Sequence, residues 1–363
     1  MILSFYIARR FLRMTARVTL IFVGILLLID LLDQLRRFSG RVSFGQAMEL
    51  AVLHVPSSLY TILPLIFVLA AIALFLGLAR SSELVVMRAA GRAGLRVLAA
   101  PVITAFLLGV LIVAVLNPLV AATSNRYEEV SARLSRDEAQ FLSVLGEGLW
   151  LRQGSAEGQT VIHAEEANAN GSYLRDVTMM VFDANGQLTE RIAATEGRLG
   201  NGEWTLRDAK RWALNDPTPE ATAVTEPSMT VPSELTSETI RAGFREPSEI
   251  AFWKLPQYIH GLETAGFQAR DHRVWFQSEM SLPFFLAAMV LIAAGFTMRH
   301  ARQGGTGSKV MLALLVAFVV FFLRNFAQVL GENGQIPVIL AAWIPSLAAV
   351  LASLGLLLHL EDG

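Results

Sequence analysis

Long apolar segments alternate with polar ones along this chain, and they lie toward its two ends. Six of them approach the roughly 20 residues with which an α-helix crosses about 30 Å of hydrocarbon. These segments cover residues 18–32, 57–79, 97–120, 276–298, 308–330 and 337–360. The first segment is short, and we expect the basic amphipathic residues 1–17 to extend it. The pattern predicts six transmembrane helices, three before and three after a polar middle section.

The middle section shows the shorter periodicity of β-strands. Five segments are rich in Val, Ile, Thr and aromatic residues and partly alternate apolar with polar positions. They cover residues 148–153, 160–164, 174–182, 188–199 and 204–213. The Asp-Ala-Asn-Gly sequence at 183–186 and the Asn-Gly pair at 201–202 are typical of hairpin turns. Residues 247–267 then have a helical pattern, with Pro247 and Ser248 at its start and Gly266 at its end.

These patterns divide the chain into three parts. Residues 1–124 are predicted to form an interfacial N-terminal helix and transmembrane helices 1–3. Residues 125–270 are predicted to form an antiparallel sandwich or β-jellyroll with a helical return segment. Residues 271–363 are predicted to form transmembrane helices 4–6. The predicted fold class is an α-helical membrane protein with six transmembrane helices and an inserted all-β jellyroll domain.

Charges in the short loops predict the orientation of the spans. Eleven Lys and Arg residues lie on the side that holds both termini, against three on the other side. Because cytoplasmic loops are enriched in positive charge, both termini are predicted to be cytoplasmic and the β section to lie outside. That section is acidic, with 17 Asp and Glu against 9 Lys and Arg within residues 140–250.

Composition excludes several kinds of chemistry. The chain has no cysteine, which rules out disulfides, thiolate catalysis and Cys-type zinc sites. It also lacks the HExxH and GxSxG motifs of metalloproteases and serine hydrolases. Its net charge of -1 does not indicate binding to nucleic acid. We therefore predict no catalytic residue, metal site or cofactor, and the energy for any active process must come from a partner.

The connection between the second and third apolar segments has the pattern of a docking site. Residues 81–91 are predicted to form a helix of about two turns, with Ser81 as its N-cap and Glu83 in its first turn. Three further residues share one face of this helix: Leu84, Met87 and Arg88. A short helix at the membrane surface, with one carboxylate among apolar and basic groups, indicates a surface that receives a partner.

Arginines flank the span ends on the outer side, which usually avoids positive charge. They are Arg36, Arg37, Arg41, Arg126, Arg270 and Arg273. Guanidinium groups bind phosphate bidentately, so these residues are candidates to hold a phosphorylated lipid. Snorkelling to the interface, or pairing with the acidic β section, is the alternative. Arg324 lies within the fifth span, where structural pairing and ligand contact both remain open.

Together with this layout, several motifs resemble the paired permease subunits of the lipopolysaccharide export system, the LptF/LptG family. The resemblance covers essentially the whole chain. Its most specific parts are residues 33–37 (Asp-Gln-Leu-Arg-Arg), 80–91 and 148–150 (Gly-Leu-Trp). They look more like the G-type subunit than its F-type sister. Two alternatives remain: the F-type subunit of the same exporter, and a membrane assembly scaffold that does not transport.

The resemblance implies a non-catalytic transmembrane half of an ABC exporter in the bacterial inner membrane. Residues 81–91 would be the coupling helix seated on the ATPase, where Glu83 would pair with a basic group. Spans one and five would flank a lateral opening for lipid, and their candidate cavity residues are Leu26, Leu27, Phe318 and Phe322. Arg36 and Arg37 match basic positions near the lipid A phosphates. Asp30 stands where some members have a basic residue, and Arg126, Arg270 or Arg324 would compensate.

The resemblance also implies partners. In the family, the external β-jellyroll passes lipid into a chain of similar jellyrolls that leads to the outer membrane. The implied partners are a second permease subunit of the LptF type, a dimeric cytoplasmic ATPase of the LptB type, periplasmic jellyroll proteins of the LptC and LptA types, and lipopolysaccharide. No cofactor and no nucleic acid is implied.

Overall fold

The computed structural model describes most of the chain and divides it into two compact units. It describes residues 2–38, 42–83, 86–87, 94–134, 149–155, 158–168, 171–183, 185–200, 202–233, 240, 245–264, 268–298 and 306–362. One unit comprises Met1–Ser131, Pro247–Pro256 and Arg270–Gly363, and the other Ala132–Glu246 and Gln257–Ala269. The first unit is helical and the second contains the β-strands.

Long helices dominate the described residues outside the β-sheet. In chain order the helices are α1 (Ile2–Arg37), α2 (Phe44–Arg80), α3 (Gly94–Leu111), α4 (Asn117–Leu134), α5 (Leu255–Thr264), α6 (Arg270–Thr297), α7 (Thr306–Glu332) and α8 (Val338–Asp362). A π-helical turn, Ile112–Leu116, joins α3 to α4 so that they form one span. Among the described residues, six helical segments are long and apolar enough to cross a membrane, as the apolar pattern predicts.

Pro118 accounts for the irregular turn between α3 and α4. A proline has no N–H, so the carbonyl four residues earlier loses its helical donor. That carbonyl belongs to Ala114, and it accepts a hydrogen bond from the Trp253 indole Nε1 at 3.2 Å. One residue before the proline, the Asn117 side chain accepts from the backbone N–H of Phe252 at 2.8 Å. The π-turn therefore fixes the segment that returns from the β-strands to the helices.

The spans differ greatly in how far they are buried. In the most apolar window of α6, 83% of the residues are buried inside the helical unit, whereas the value for α1 and for α7 is 11%. The approach of α3 to α6 is close, since a Cβ on Gly109 would lie 2.6 Å from the Cα of Pro283. The helical unit is thus organised around α6, and most residues of the apolar windows of α1 and α7 are not fully buried.

Among its described residues, the second unit contains one antiparallel sheet of six strands. They are β1 (Leu149–Ser155), β2 (Gly158–Ala167), β3 (Tyr173–Asp183), β4 (Leu188–Gly200), β5 (Glu203–Ala213) and β6 (Val224–Pro232), each paired with the next. Gly186 and Gly202 have φ of +80° and +81°, the left-handed conformation expected in the two predicted hairpins. The prediction of an inserted all-β domain is confirmed, with its strands in up-and-down order, and β6 is an additional strand.

One local prediction needs correction. The helix predicted over residues 247–267 begins later, because Pro247–Glu249 and Phe252–Lys254 are 3₁₀ turns and α5 starts at Leu255. Gly266, its predicted end, lies outside the described residues. Ser81 is the C-cap of α2 and its hydroxyl donates to the carbonyl of Gly77 at 2.9 Å, while most of the helix that it is predicted to begin lies outside the described residues.

Candidate functional site

The Glu83 carboxylate is the centre of a polar cluster at the end of the helical unit that holds the start of α1. Its Oε1 accepts hydrogen bonds from Arg10 Nη1 at 2.8 Å and from Ser81 Oγ at 2.6 Å. Its Oε2 accepts from the Tyr6 hydroxyl at 3.2 Å. Arg10 Nη1 also donates to that hydroxyl at 2.9 Å. The sequence indicated Glu83 as a docking residue, but the two partners on α1 were not foreseen.

These contacts set the charge on Glu83. Partial burial acts to raise the pKa of Glu83, but the hydrogen bonds from Ser81 and Arg10, together with the Arg10 charge, lower it further than burial raises it. The pKa of Glu83 therefore lies below its ordinary value, and the side chain is an anion at neutral pH. Because its side chain is 29% exposed, the anion is also accessible from outside the protein.

The other predicted docking residues are placed differently from one another. Met87 is buried against the transmembrane helices, whereas its neighbour Val86 is 67% exposed. Leu84 and Arg88 lie outside the described residues. Among the described residues of this segment, the exposed apolar side chain is Val86, which the helical face argument did not select.

At the opposite end of α1, Arg36 and Arg37 are exposed in the last helical turn. Arg37 Nη1 donates to the Tyr127 hydroxyl on α4 at 3.3 Å, and Gln34 Nε2 donates to the same hydroxyl at 3.1 Å. Tyr127 thereby connects the end of α1 to α4. It was not singled out from the sequence, because a lone tyrosine in a helix carries no signal of its partners.

Three further arginine candidates lie on two helices. Arg126, on α4, forms an exposed pair with Glu129 at 2.7 Å. Arg270 and Arg273 begin α6 with exposed side chains, and the Arg270 guanidinium lies against the backbone of Gly334. All three are on the same side of the spans as the end of α1, where the outer-face argument puts them.

Arg324 is turned into the helical unit. Its Nη2 donates to the backbone carbonyl of Ser278 at 3.2 Å, and its guanidinium lies 5.0 Å from the centre of the Phe285 ring. It also interacts electrostatically with Glu279, which is 2% exposed and accepts a hydrogen bond from the Tyr60 hydroxyl. This placement favours structural pairing of Arg324 over contact with a ligand.

A second buried carboxylate, Asp30, lies about two helical turns before the end of α1. Its Oδ1 is 3.1 Å from His54 Nδ1, and its Oδ2 accepts from Ser58 Oγ at 3.4 Å. Ser58 Oγ is also 3.3 Å from the same Nδ1. In a Ser-His-Asp relay the serine and the aspartate bind opposite ring nitrogens, so this trio is not arranged for nucleophilic catalysis.

The candidate cavity residues fall on the two least covered helices. Phe318 and Phe322 of α7 are 50% and 54% exposed, and their ring centres are 4.6 Å apart. Leu26 and Leu27 of α1 are only partly exposed, and Leu27 packs toward α2. The more exposed apolar face of α1 is formed by other residues: Leu20, Ile21, Ile25, Leu28, Ile29 and Leu32.

Comparison with known proteins places this arrangement in a family. The family model described as "Lipopolysaccharide export system permease LptF/LptG" matches residues 5–359. Lipopolysaccharide export system permease protein LptG of Haemophilus influenzae is 25% identical over 356 residues, which cover 94% of this chain and 93% of that protein. LptG of Escherichia coli K12 is 28% identical over 341 residues, covering 92% and 91%.

The relatives support the prediction of a G-type subunit over the F-type alternative. The match extends through both sets of spans and the β domain, so it includes every part of the fold described above. Six apolar helices together with this match identify a multi-pass inner-membrane protein. The chain belongs to the lipopolysaccharide export system permease family LptF/LptG.

Proposed function

We propose that this chain is the G-type permease subunit that removes lipopolysaccharide from the outer leaflet of the inner membrane, with α1 and α7 beside the lipid's path. The observation that carries the proposal is that few residues of α1 and α7 are fully buried, whereas α6 is largely buried, so that both helices present half-exposed and exposed apolar side chains. Two uncovered apolar helices provide the surface that acyl chains and a second, LptF-type subunit need.

The cost of extraction explains why such a surface is required. Each methylene that leaves hydrocarbon for water costs roughly 0.8 kcal/mol, so a lipid with several acyl chains costs tens of kcal/mol unless protein replaces the bilayer. The exposed rings of Phe318 and Phe322 and the exposed apolar face of α1 supply that replacement. The β domain then receives the acyl chains and passes them to periplasmic LptC-type and LptA-type jellyroll proteins.

The headgroup phosphates of the lipid bind at the outer end of α1. Arg36 and Arg37 are exposed in its last turn, which puts two guanidinium groups at headgroup depth next to the exposed apolar face. Arg126, Arg270 and Arg273 add positive charge on the same side. Arg324 is assigned a structural role instead, because its guanidinium is directed toward Ser278 and Phe285.

Energy enters from a dimeric LptB-type ATPase on the cytoplasmic side, and this chain hydrolyses no ATP itself. The ATPase binds the segment after α2, where the Glu83 anion and the exposed Val86 side chain provide a charged and an apolar contact. Both termini are cytoplasmic and the β domain is periplasmic. Because the chain has no cysteine, single cysteines at Asn185 and Val86 test this orientation with a membrane-impermeant maleimide. Labelling of intact spheroplasts at Asn185 and not at Val86 is the expected result.

Photo-crosslinking tests the lipid path. A benzophenone side chain at Phe322 is expected to crosslink lipopolysaccharide, and one at Leu347, an exposed residue of α8, is the matched control. Charge reversal of Arg36 and Arg37 is expected to reduce the crosslinks at Phe322, whereas reversal of Arg13, on the same helix at its other end, leaves them unchanged. Equal crosslinking in both variants would show that Arg36 and Arg37 do not bind the lipid.

Release of lipid by the reconstituted complex tests the function as a whole. Vesicles containing both permease subunits, the ATPase and the LptC-type protein should release lipopolysaccharide to an LptA-type acceptor only when ATP is supplied. A membrane assembly scaffold would bind the same partners without ATP-dependent release. Absence of release in the wild-type complex would therefore refute the transport proposal.

A further inference from the structure

We propose that Tyr6 and Arg10 are coupling residues, which hold the Glu83 carboxylate on α1 so that any movement of the segment after α2 is passed directly to α1. This inference rests on the proposed function, because it adds two residues to the path by which the ATPase moves the lipid-binding helices. It concerns contacts within this one chain, between residues that are 73 and 77 positions apart.

The three side chains form a closed ring of hydrogen bonds. Arg10 Nη1 donates to Glu83 Oε1 at 2.8 Å and to the Tyr6 hydroxyl at 2.9 Å, and that hydroxyl donates to Glu83 Oε2 at 3.2 Å. Each member therefore contacts the other two. A closed ring restrains the direction of the carboxylate as well as its distance from α1, which a single ion pair between flexible side chains does not.

The ring is attached to a firmly packed part of α1. Ile7 and Phe11, on either side of Arg10, are 1% and 0% exposed, and the Phe11 ring packs edge-on against Phe67 of α2 at 6.1 Å. The Arg10 guanidinium itself lies over Gly77, where a Cβ would be 3.3 Å from Nη2. Farther along, α1 has an exposed apolar face. The ring thus joins Glu83 to the end of α1 that is held by packing, and the helix carries the movement onward.

The ring leaves room for an ATPase to bind the same carboxylate. A carboxylate offers about four acceptor positions, two on each oxygen. Within the described part of the chain, Arg10 and Ser81 donate to Oε1 and Tyr6 donates to Oε2. One position on Oε2 can therefore accept a basic group from a partner while Arg10 stays bound. Docking and attachment to α1 take place on one side chain, so a force on Glu83 reaches α1 without an intermediate element.

Coupling can be separated from docking in the reconstituted complex. Three quantities are measured for each variant: ATPase retained on purification, ATP hydrolysed, and lipopolysaccharide released per ATP. Arg10→Met is expected to retain the ATPase and its hydrolysis within about twofold, while lipopolysaccharide release per ATP falls by about tenfold. This is the size of effect expected when a hydrogen bond to a charged group is lost. Tyr6→Phe removes one hydroxyl and should give a smaller fall, and Arg10→Lys should recover part of the release.

Arg9→Met is the matched control, because Arg9 is the neighbouring arginine on the same helix and its side chain is exposed. In a Glu83→Gln background, Arg10→Met should add little further loss, since both changes break the same ring. The inference is overturned if Arg10→Met releases lipid as efficiently as Arg9→Met, or if the losses from Arg10→Met and Glu83→Gln are additive. Wild-type complex that releases no lipid would instead refute the proposed function.

Discussion

Removing the positive charge of Arg324 should destabilise the helical unit more than any single change at the membrane surface. Arg324 connects the sparsely covered α7 to α6 through Ser278 and Phe285, and its charge balances the buried Glu279 carboxyl. In Arg324→Met the apolar length of the side chain is kept and the guanidinium is lost. Glu279, at 2% exposure, is then left without its cation in a position that water does not reach.

The size of the effect follows from this burial. Arg324→Met removes the hydrogen bond to the Ser278 carbonyl and the positive charge that acts on the buried Glu279 carboxyl, and losing a buried hydrogen bond made by a charged group costs about 1.5–3 kcal/mol. In large domains each kcal/mol lowers the melting temperature by roughly 2–4 °C, so a fall of about 5 °C is expected. Arg126→Met is the control: it breaks the exposed pair with Glu129, and such pairs are worth about 0.2–1 kcal/mol.

Thermal unfolding of the full chain in detergent, followed by tryptophan fluorescence, measures both variants. The decisive measurement is a double-mutant cycle. If Arg324 stabilises the fold by balancing Glu279, the Glu279→Leu/Arg324→Met variant should recover most of the loss, since two apolar side chains need no compensation. Melting temperatures that fall additively in the double variant, or an Arg324→Met variant no less stable than Arg126→Met, would refute the reasoning.

Three further predictions follow from contacts described above. Gly109→Ala should cost about 1–3 kcal/mol of stability, because the new Cβ would lie 2.6 Å from the Cα of Pro283 and α3 must move away from α6. Trp253→Phe should cost about 0.5–1.5 kcal/mol in thermal unfolding, because it removes the hydrogen bond from the indole N–H to the Ala114 carbonyl. The link between Glu83 and Arg10 should persist above the ordinary carboxyl pKa and be lost as the pH falls through the lowered pKa of Glu83, since protonation removes its charge.

Each of these predictions has its own control. Gly24→Ala, in a helix position with nothing within 4 Å of the added Cβ, should be neutral or stabilising, and equal losses at both glycines would contradict the packing argument. Trp150→Phe, at an exposed indole in the β domain, should leave stability nearly unchanged. An environment-sensitive dye at Val86→Cys reports the pH effect, and its signal should change only below the ordinary carboxyl pKa of about 4.3. A change near pH 7 would exclude Glu83 as the titrating group.

The spans and most strands were predictable from the sequence because each depends on a local pattern. About 20 apolar residues specify a span whatever it packs against, and alternation bounded by Asn-Gly turns specifies a hairpin. Strand β6 was missed because Pro227 and Pro232 interrupt it and its other residues are mostly polar. It lies at the edge of the sheet, where the absence of an N–H is tolerated, and a local pattern does not reveal that a strand is at an edge.

The site was predictable only as single residues. Glu83 stands out because it is one carboxylate in a basic, apolar connection, but its bonds to α1 join residues more than 70 positions apart. Tyr60 and Glu279 are 219 positions apart, and their contact depends on how α2 and α6 pack. Ser81 has a partner that its sequence context did not indicate: the context suits the start of one helix, and its hydroxyl also donates back to the Gly77 carbonyl at the end of the helix before it.

The length of α1 has a mechanical consequence. It is an unbroken helix of 36 residues, about 54 Å from tip to tip, which is nearly twice the thickness of the hydrocarbon layer. It contains no proline, unlike α2, α3, α6 and α8, so no proline kink interrupts it. A rigid lever of this length that tilts by about 10° about its midpoint moves each tip by about 5 Å. Hydrogen bonds break over much smaller displacements, so on the proposed function a tilt of α1 driven from its N-terminal end would be sufficient for Arg36 and Arg37 to release a phosphate.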